Sequence, residues 1–184
     1  MKKSIVILFM VSLSWTKAQS LLSNEEQFHK TAGDVLLVVL PTLSMGSTLL
    51  WKDGQKGALQ FSKSLAGTLA LSYALKLTVR KERPNGENNY SFPSGHTSVA
   101  FGSAAFLQKR YGWEVGIPSY LLAGYVGYTR IRANKHDGWD VMAGAVIGFG
   151  MGYLFAKPLR KDTGFKVSPG LLENTPILSF TYTF

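Results

Sequence analysis

The sequence predicts an all-α fold, a helical bundle embedded in a membrane through five or six spans, and three observations carry that expectation. Apolar stretches recur along the chain and run too long for ordinary strands. From the middle of the chain to residue 156 they lack the alternation of apolar and polar residues that marks a half-buried strand. The later stretches are rich in Gly, Ala, Ser and Tyr, the composition of helices that pack closely on one another. A mean hydropathy of +0.06 is low for a protein of many spans, so a soluble periplasmic bundle is the competing reading. At 184 residues the chain has room for one domain and one active site.

The elements follow in order. Lys2-Lys3 precede an apolar run from Ile5 to Trp15, and Thr16-Lys17-Ala18 follow it, so residues 1–18 read as a secretory signal or as a retained first membrane helix. A single domain is expected over 19–161 and a tail over 162–184. After a polar stretch from Ser23 to Lys30, the uncharged, Leu- and Val-rich run Val35 to Trp51 is the strongest spanning candidate. Further helices are expected at Ser64–Val79, Thr97–Leu107, Gly116–Thr129 and Val141–Ala156. Basic loops at Lys52–Lys56, Lys109-Arg110 and Lys157–Lys161 alternate with loops at Arg80–Gly95 and Arg130–Gly138. If the first three face the cytoplasm they satisfy the positive-inside rule. The other two are basic as well, and their charge is expected to act on a ligand. The end of the tail, Ile177 to Phe184, alternates apolar and polar residues as a strand does, yet a frayed or loosely docked tail is the expectation.

Composition narrows the chemistry. With 20 Lys+Arg against 11 Asp+Glu the formal charge is +9, which suits an anionic substrate, an anionic membrane surface or nucleic acid. Delivery to or across a membrane disfavours nucleic acid. The chain has no cysteine, which excludes disulfides, thiolate zinc sites and a cysteine nucleophile. No obligate protein partner is evident.

Three clusters carry chemistry. Lys76 at the end of a helix and Arg83-Pro84 in the following turn bring two cations to one side of the bundle. Ser91-Phe92-Pro93-Ser94-Gly95-His96 runs directly into a helix, where free backbone N–H groups make an anion site, Ser94 can help cap, and Gly95 allows a close approach. His96 stands there as a proton donor for a leaving oxygen. Thr129-Arg130 lead to His136 and, four residues on, Asp140, so a carboxylate at a helix start can fix one imidazole nitrogen and leave the other as nucleophile. Taken singly, each cluster also has a plain reading: a solvated helix end, a capped helix with an exposed histidine, a structural His–Asp pair.

Together, Lys76-x6-Arg83-Pro84, Pro93-Ser94-Gly95-His96 and Thr129-Arg130-x5-His136-x3-Asp140 resemble the three motifs of the type 2 phosphatidic acid phosphatase and vanadium haloperoxidase superfamily, in the family's order. Two of the chain's three histidines fall in motif positions, and His29 reads as a surface residue. The resemblance implies a phosphatase that needs no metal or other cofactor. Lys76, Arg83, Ser94, Gly95 and Arg130 would hold the phosphate, His136 would attack phosphorus, Asp140 would orient it, and His96 would protonate the leaving alcohol. Arg132 and Lys135 lie between the motif residues and either add to the field or face solvent.

Thr129 stands where the family usually has Ser, which keeps a hydroxyl, and few residues lie outside the motif region to form a substrate lid. By analogy and location the substrate is a lipid phosphate or diphosphate reaching a site on the periplasmic face of a bacterial inner membrane. A soluble periplasmic acid phosphatase, a haloperoxidase and a non-catalytic phosphate-lipid binder are the alternatives.

Overall fold

Each apolar stretch from Val35 onward forms a helix, and each helix begins before its apolar run does. The structure, a computed structural model, describes residues 25–50, 56–159, 164–172 and 175–183, the last two ranges as backbone. The expected signal or first membrane helix at 1–18 lies outside the described residues. The helices are α1 (Glu25–Leu50), α2 (Gly57–Val79), α3 (Gly95–Tyr111), α4 (Trp113–Arg132) and α5 (Gly138–Phe155). The polar stretch expected to precede the first span is thus already helical from Glu25.

The helices run up and down, which gathers the chain's loops at two ends. At one end Arg110, buried at the close of α3, donates through Nη1 to Gln60 Oε1 of α2 at 3.2 Å, while Leu159 N–H donates to Arg110 O at 2.9 Å. The opposite end holds the segments 80–94 and 133–137 together with the first turns of α1, α3 and α5. All three sequence clusters belong to that second end.

Central to the bundle is α3, which packs against all four other helices. Its buried residues are mostly small: Ala100, Gly102, Ser103, Ala104 and Ala105, with Phe106 edge-on to Phe61 of α2. The tightest approach is to α5, whose buried glycines repeat every fourth residue at Gly144, Gly148 and Gly152. A Cβ at Gly148 would stand 2.0 Å from Ser98 O, and one at Gly152 would stand 2.5 Å from Gly102 O. This is the small-residue packing that brings helix backbones together without a hydrophobic driving force.

Polarity runs inside out. Ser44, Ser64, Thr68, Ser72, Ser98 and Ser103 are buried, and most of their hydroxyls return to the carbonyl one turn back in their own helix. Val38, Leu77, Leu121, Val146 and Leu154 are among the large apolar side chains that face outward. By length and composition, Gln27–Leu50 and Gly138–Phe155 are apolar enough to cross a membrane, against the five or six spans expected. The other helices fall short for visible reasons: α3 has 17 residues, α2 carries Gln60, Lys63 and five serines or threonines, and α4 holds charges near both ends.

The tail departs from expectation. Instead of fraying, it forms β1 (Gly164–Leu172) and β2 (Thr175–Thr183), an antiparallel pair in register from Gly164 opposite Thr183 to Leu172 opposite Thr175. Alternation was visible only in the second strand, and a partner with Gly, Pro and Lys in it gave no period of two.

The α3–α5 contact sets a first test. Gly148→Ala is expected to cost about 1–3 kcal/mol, the usual range for overpacking, whereas Gly150→Ala, with nothing within 4 Å, is expected to cost none. Thermal unfolding of the two variants in the same detergent checks the difference.

Candidate active site

The site is built from the end of the bundle where α5 begins. Asp137 is the N-cap of α5 and Asp140 its third residue, and the two form a reciprocal capping box: Asp140 N–H donates to Asp137 Oδ1 and Asp137 N–H to Asp140 Oδ2, both at 3.0 Å. The side chain of Asp140 is fully buried and accepts two further hydrogen bonds, from Ser91 Oγ at 2.5 Å and from Lys81 Nζ at 2.9 Å. Its backbone carbonyl accepts from Ser94 N–H at 2.9 Å. Lys81 also pairs with Asp137. Burial works against the Lys81 ammonium, but its bonds to the two carboxylates outweigh that and raise its pKa above the ordinary lysine value.

His136 is buried, with Nδ1 3.7 Å from Asp140 Oδ2. The two groups therefore face each other just beyond hydrogen-bond reach. Asp140 is held instead by Lys81, Ser91 and the Asp137 amide, which explains the gap. Burial, followed by the charges of Lys76 and Arg83, lowers the His136 pKa to about 4, against the pull of Asp140 in the other direction. At neutral pH the imidazole is uncharged, the form in which a ring nitrogen carries a free lone pair.

Lys76, in the last turn of α2, donates from Nζ to Tyr90 O at 2.7 Å and to Pro93 O at 2.6 Å. Its stem passes Gly95, where a Cβ would meet Lys76 Cε at 3.8 Å. That is an ordinary contact, so protein packing leaves this spot open and does not itself demand glycine. Ser94 occupies the N-cap position of α3 but does not cap through its side chain; its hydroxyl pairs with Thr97 Oγ1 at 2.9 Å. Arg83 has a buried Nε with no hydrogen-bond partner among the described residues, and its Nη1 lies 3.3 Å from Glu87 Oε2. Glu87 also pairs with Lys135.

The charge of the two loops is thus largely met by protein carboxylates, where the sequence suggested that it acts on a ligand. Lys81, Arg83 and Lys135 all have acidic partners. Arg132 is exposed.

The third cluster closes the site from the side of α4. Thr129 is buried and its hydroxyl donates to Val126 O at 2.7 Å, while Arg130 Nε donates to Thr129 Oγ1 at 3.2 Å. Arg130, 4 % exposed, reaches α1, donating from Nη1 to Asp34 Oδ1 at 2.8 Å and from Nη2 to Lys30 O at 2.8 Å. His96 Nε2 lies 3.0 Å from the same Asp34 oxygen. The structure therefore brings all eight predicted residues, Lys76, Arg83, Ser94, Gly95, His96, Arg130, His136 and Asp140, to one end of the bundle.

Sequence reasoning missed four others that hold them: Asp34, Lys81, Ser91 and Asp137. Asp34 had a usable signal, since it is the sole carboxylate within the apolar helix Gln27–Leu50. Asp137 had one as well, standing three residues before Asp140 at a helix start. His29, expected at the surface, is half-buried: its Nδ1 lies 3.0 Å from Tyr125 Oη, and its ring packs edge-on against Phe28 and Tyr128.

Comparison with known proteins agrees with the motifs. The family model of the PAP2 superfamily matches residues 82–163. A lipid A 1-phosphatase from Porphyromonas gingivalis is 36% identical over 115 residues, covering 55% of this chain and 26% of the relative. A lipid A 4'-phosphatase from Helicobacter pylori is 37% identical over 82 residues, covering 43% of this chain and 41% of the relative. The chain therefore spans well under two thirds of the length of these curated relatives. In fold it is similar to the transmembrane PAP2 type phosphatidylglycerolphosphate phosphatase from Bacillus subtilis, with a TM-score of 0.56 at 22% identity over 79% of this chain and 77% of that one. Motifs, fold and family match agree: over residues 82–163 the chain matches the model of the PAP2 superfamily.

Proposed function

We propose that this chain is a phosphatase acting on a phosphate or diphosphate monoester of a membrane lipid, through a phosphohistidine intermediate. The observation that carries the reading is the buried, uncharged His136, backed by Asp140 and flanked by the cations Lys76 and Arg83. A neutral imidazole beside fixed positive charge is suited to attack an anionic phosphorus centre.

In the first step His136 attacks phosphorus in line. Asp140 faces Nδ1, so Nδ1 carries the proton and Nε2 supplies the lone pair. The P–O bond to the alcohol breaks as the P–N bond forms, and His96 gives its proton to the departing oxygen. Lys76, Arg83 and Arg130, with Ser94 and the N–H groups at the start of α3 beside Gly95, hold the phosphoryl oxygens. In the second step water attacks phosphorus, His96 takes its proton, and the P–N bond breaks. Asp140 stabilises the positive charge that the imidazole bears in between.

Two observations favour a lipid over a small phosphomonoester. The outer helices present large apolar side chains outward, as a bundle surrounded by acyl chains does. The curated relatives are named lipid A phosphatases. We place the protein in the bacterial inner membrane with the site on the periplasmic face, residues 19–161 forming the phosphatase unit behind a signal or first span at 1–18.

The decisive assay measures phosphate release from lipid A, phosphatidic acid and a small chromogenic phosphate in the presence of chelator. Release from a lipid is expected to survive the chelator and to fall more than about 10³-fold in His136→Ala. Binding without turnover would make the protein a phosphate-lipid binder, and preference for the small ester in a salt-extractable protein would make it a soluble acid phosphatase.

The environment of His136 gives a second expectation, read by histidine NMR titration. Its imidazole should titrate near pH 4, below the ordinary histidine range, so it is uncharged above that pH. Lys76→Met removes a positive charge that disfavours the imidazolium, and should move the titration upward. An ordinary value in the wild-type protein, unmoved by the substitution, would remove the basis for a neutral nucleophile.

A further inference from the structure

Asp34 lies on α1, outside residues 82–163 and outside all three motifs, yet one of its oxygens meets two motif side chains at once. His96 Nε2 is 3.0 Å away and Arg130 Nη1 2.8 Å away. A second feature of α1 makes that meeting feasible. A Cβ on the neighbouring Gly33 would stand 2.2 Å from both Arg130 Nη2 and Thr129 Oγ1, so the guanidinium lies flat against bare backbone and caps its reach on Lys30 O. The location also counts: Asp34, about half exposed, sits within one of the two described helices apolar enough to cross a membrane, where a carboxylate without a function or a cationic partner is disfavoured.

We propose that Asp34 is the positioning residue of the acid half of the reaction, holding His96 by Nε2 so that Nδ1 delivers the proton to the leaving alcohol. The inference rests on the proposed phosphatase mechanism and adds to it a residue from the first described helix. Among the described residues nothing hydrogen-bonds to His96 Nδ1, which leaves that nitrogen to face the leaving group. Burial and the nearby positive Arg130 hold the His96 pKa below the ordinary histidine value, and the Asp34 carboxylate pulls the other way, toward the doubly protonated imidazolium. As the P–O bond breaks, the proton passes from Nδ1 to the alkoxide oxygen, and His96 stays hydrogen-bonded to Asp34 through Nε2–H. Water later returns the proton to Nδ1. Asp34 is thus to His96 what Asp140 is to His136, with the difference that Asp34 also fixes a cation of the phosphate cradle.

This role predicts dependence on the leaving group, which a purely architectural residue would not show. An alkoxide needs a proton as it departs, while p-nitrophenolate departs without one. Asp34→Asn keeps an oxygen that can accept from Arg130 but removes the charge that supports the imidazolium. For a lipid phosphate its kcat/KM, which covers only binding and the first step, is expected to fall about 10- to 100-fold further than for p-nitrophenyl phosphate, a part of the whole effect of a general acid. What kcat/KM loses on p-nitrophenyl phosphate comes through Arg130 in the phosphate cradle and is common to both substrates. His96→Ala should show the same split in kcat/KM, with kcat falling on both substrates as the water step loses its base, and adding Asp34→Asn should widen the split little, since the two act as one unit.

Equal loss of kcat/KM on both substrates, or an additive widening of the split in the double variant, would overturn the proposal while leaving the phosphatase reading intact. Failure of that reading would show separately, as turnover that survives in His136→Ala. Spectra of 15N-labelled histidine test the contact without any turnover: His96 should be protonated at Nε2 in the wild type, and its titration should move to lower pH in Asp34→Ala as the carboxylate's support of the imidazolium is lost. A wild-type His96 with an unprotonated Nε2 would refute the proposal whatever the kinetics.

Discussion

The carboxylate of Asp140 is the constraint on which the rest of the site depends. It is fully buried, and burying a charge is costly unless the surroundings return what water supplied. Here Lys81 and Ser91 arrive from the segment between α2 and α3, and the Asp137 amide from the turn before α5. One group thereby fixes the loop that carries Arg83, the approach to α3 that carries Ser94 and His96, and the turn that carries His136. Its satisfaction by these partners also accounts for the 3.7 Å separation from His136. An anion already held in place by others can respond to charge appearing on the imidazole without having to be held by it.

Close helix packing makes this arrangement possible. Because Gly144, Gly148 and Gly152 let α5 lie directly on α3, the first turns of the two helices meet, and Ser94 N–H reaches Asp140 O. The same glycines and the buried serines leave little large apolar surface inside the bundle. Apolar side chains go outward instead, on helices that are individually only moderately hydrophobic. The low mean hydropathy and a membrane setting are therefore compatible: hydropathy averages over residues, whereas a bilayer meets one face of each outer helix.

Much of this was legible in the sequence. Each helix was visible as an apolar run, and the eight motif residues were named because their type, spacing and order resemble a known family's motifs, where spacing across a helix start translates directly into geometry. The partners that hold them were less visible. Lys81 and Ser91 contact Asp140 across 59 and 49 residues, and nothing local distinguishes them from any loop lysine or serine. Asp34 meets its partners across 62 and 96 residues. Helix limits were drawn too short for a related reason: polar first turns such as Glu25–Lys30 are helical through backbone hydrogen bonding and tertiary contact, which an apolar pattern does not register. Alternation in the tail pointed correctly to a strand at its end, but a hairpin needs a partner, and the partner carried no pattern.

The electrostatics of the site follow from how its cations are paired. Arg130 shares Asp34, Arg83 and Lys135 share Glu87, and Lys81 sits between Asp137 and Asp140. Lys76 differs, since both its hydrogen bonds go to neutral carbonyl oxygens. Carbonyls orient an ammonium without cancelling its charge, so Lys76 offers an incoming phosphate the least compensated positive charge among these five. Arg83 and Arg130 can add hydrogen bonds only by sharing with Glu87 and Asp34 or by leaving them. On the proposed mechanism the substrate's negative charge therefore meets Lys76 first and competes with carboxylates for the arginines. The paired carboxylates hold the guanidinium groups in position while the site is empty, which lowers the ordering needed when phosphate binds.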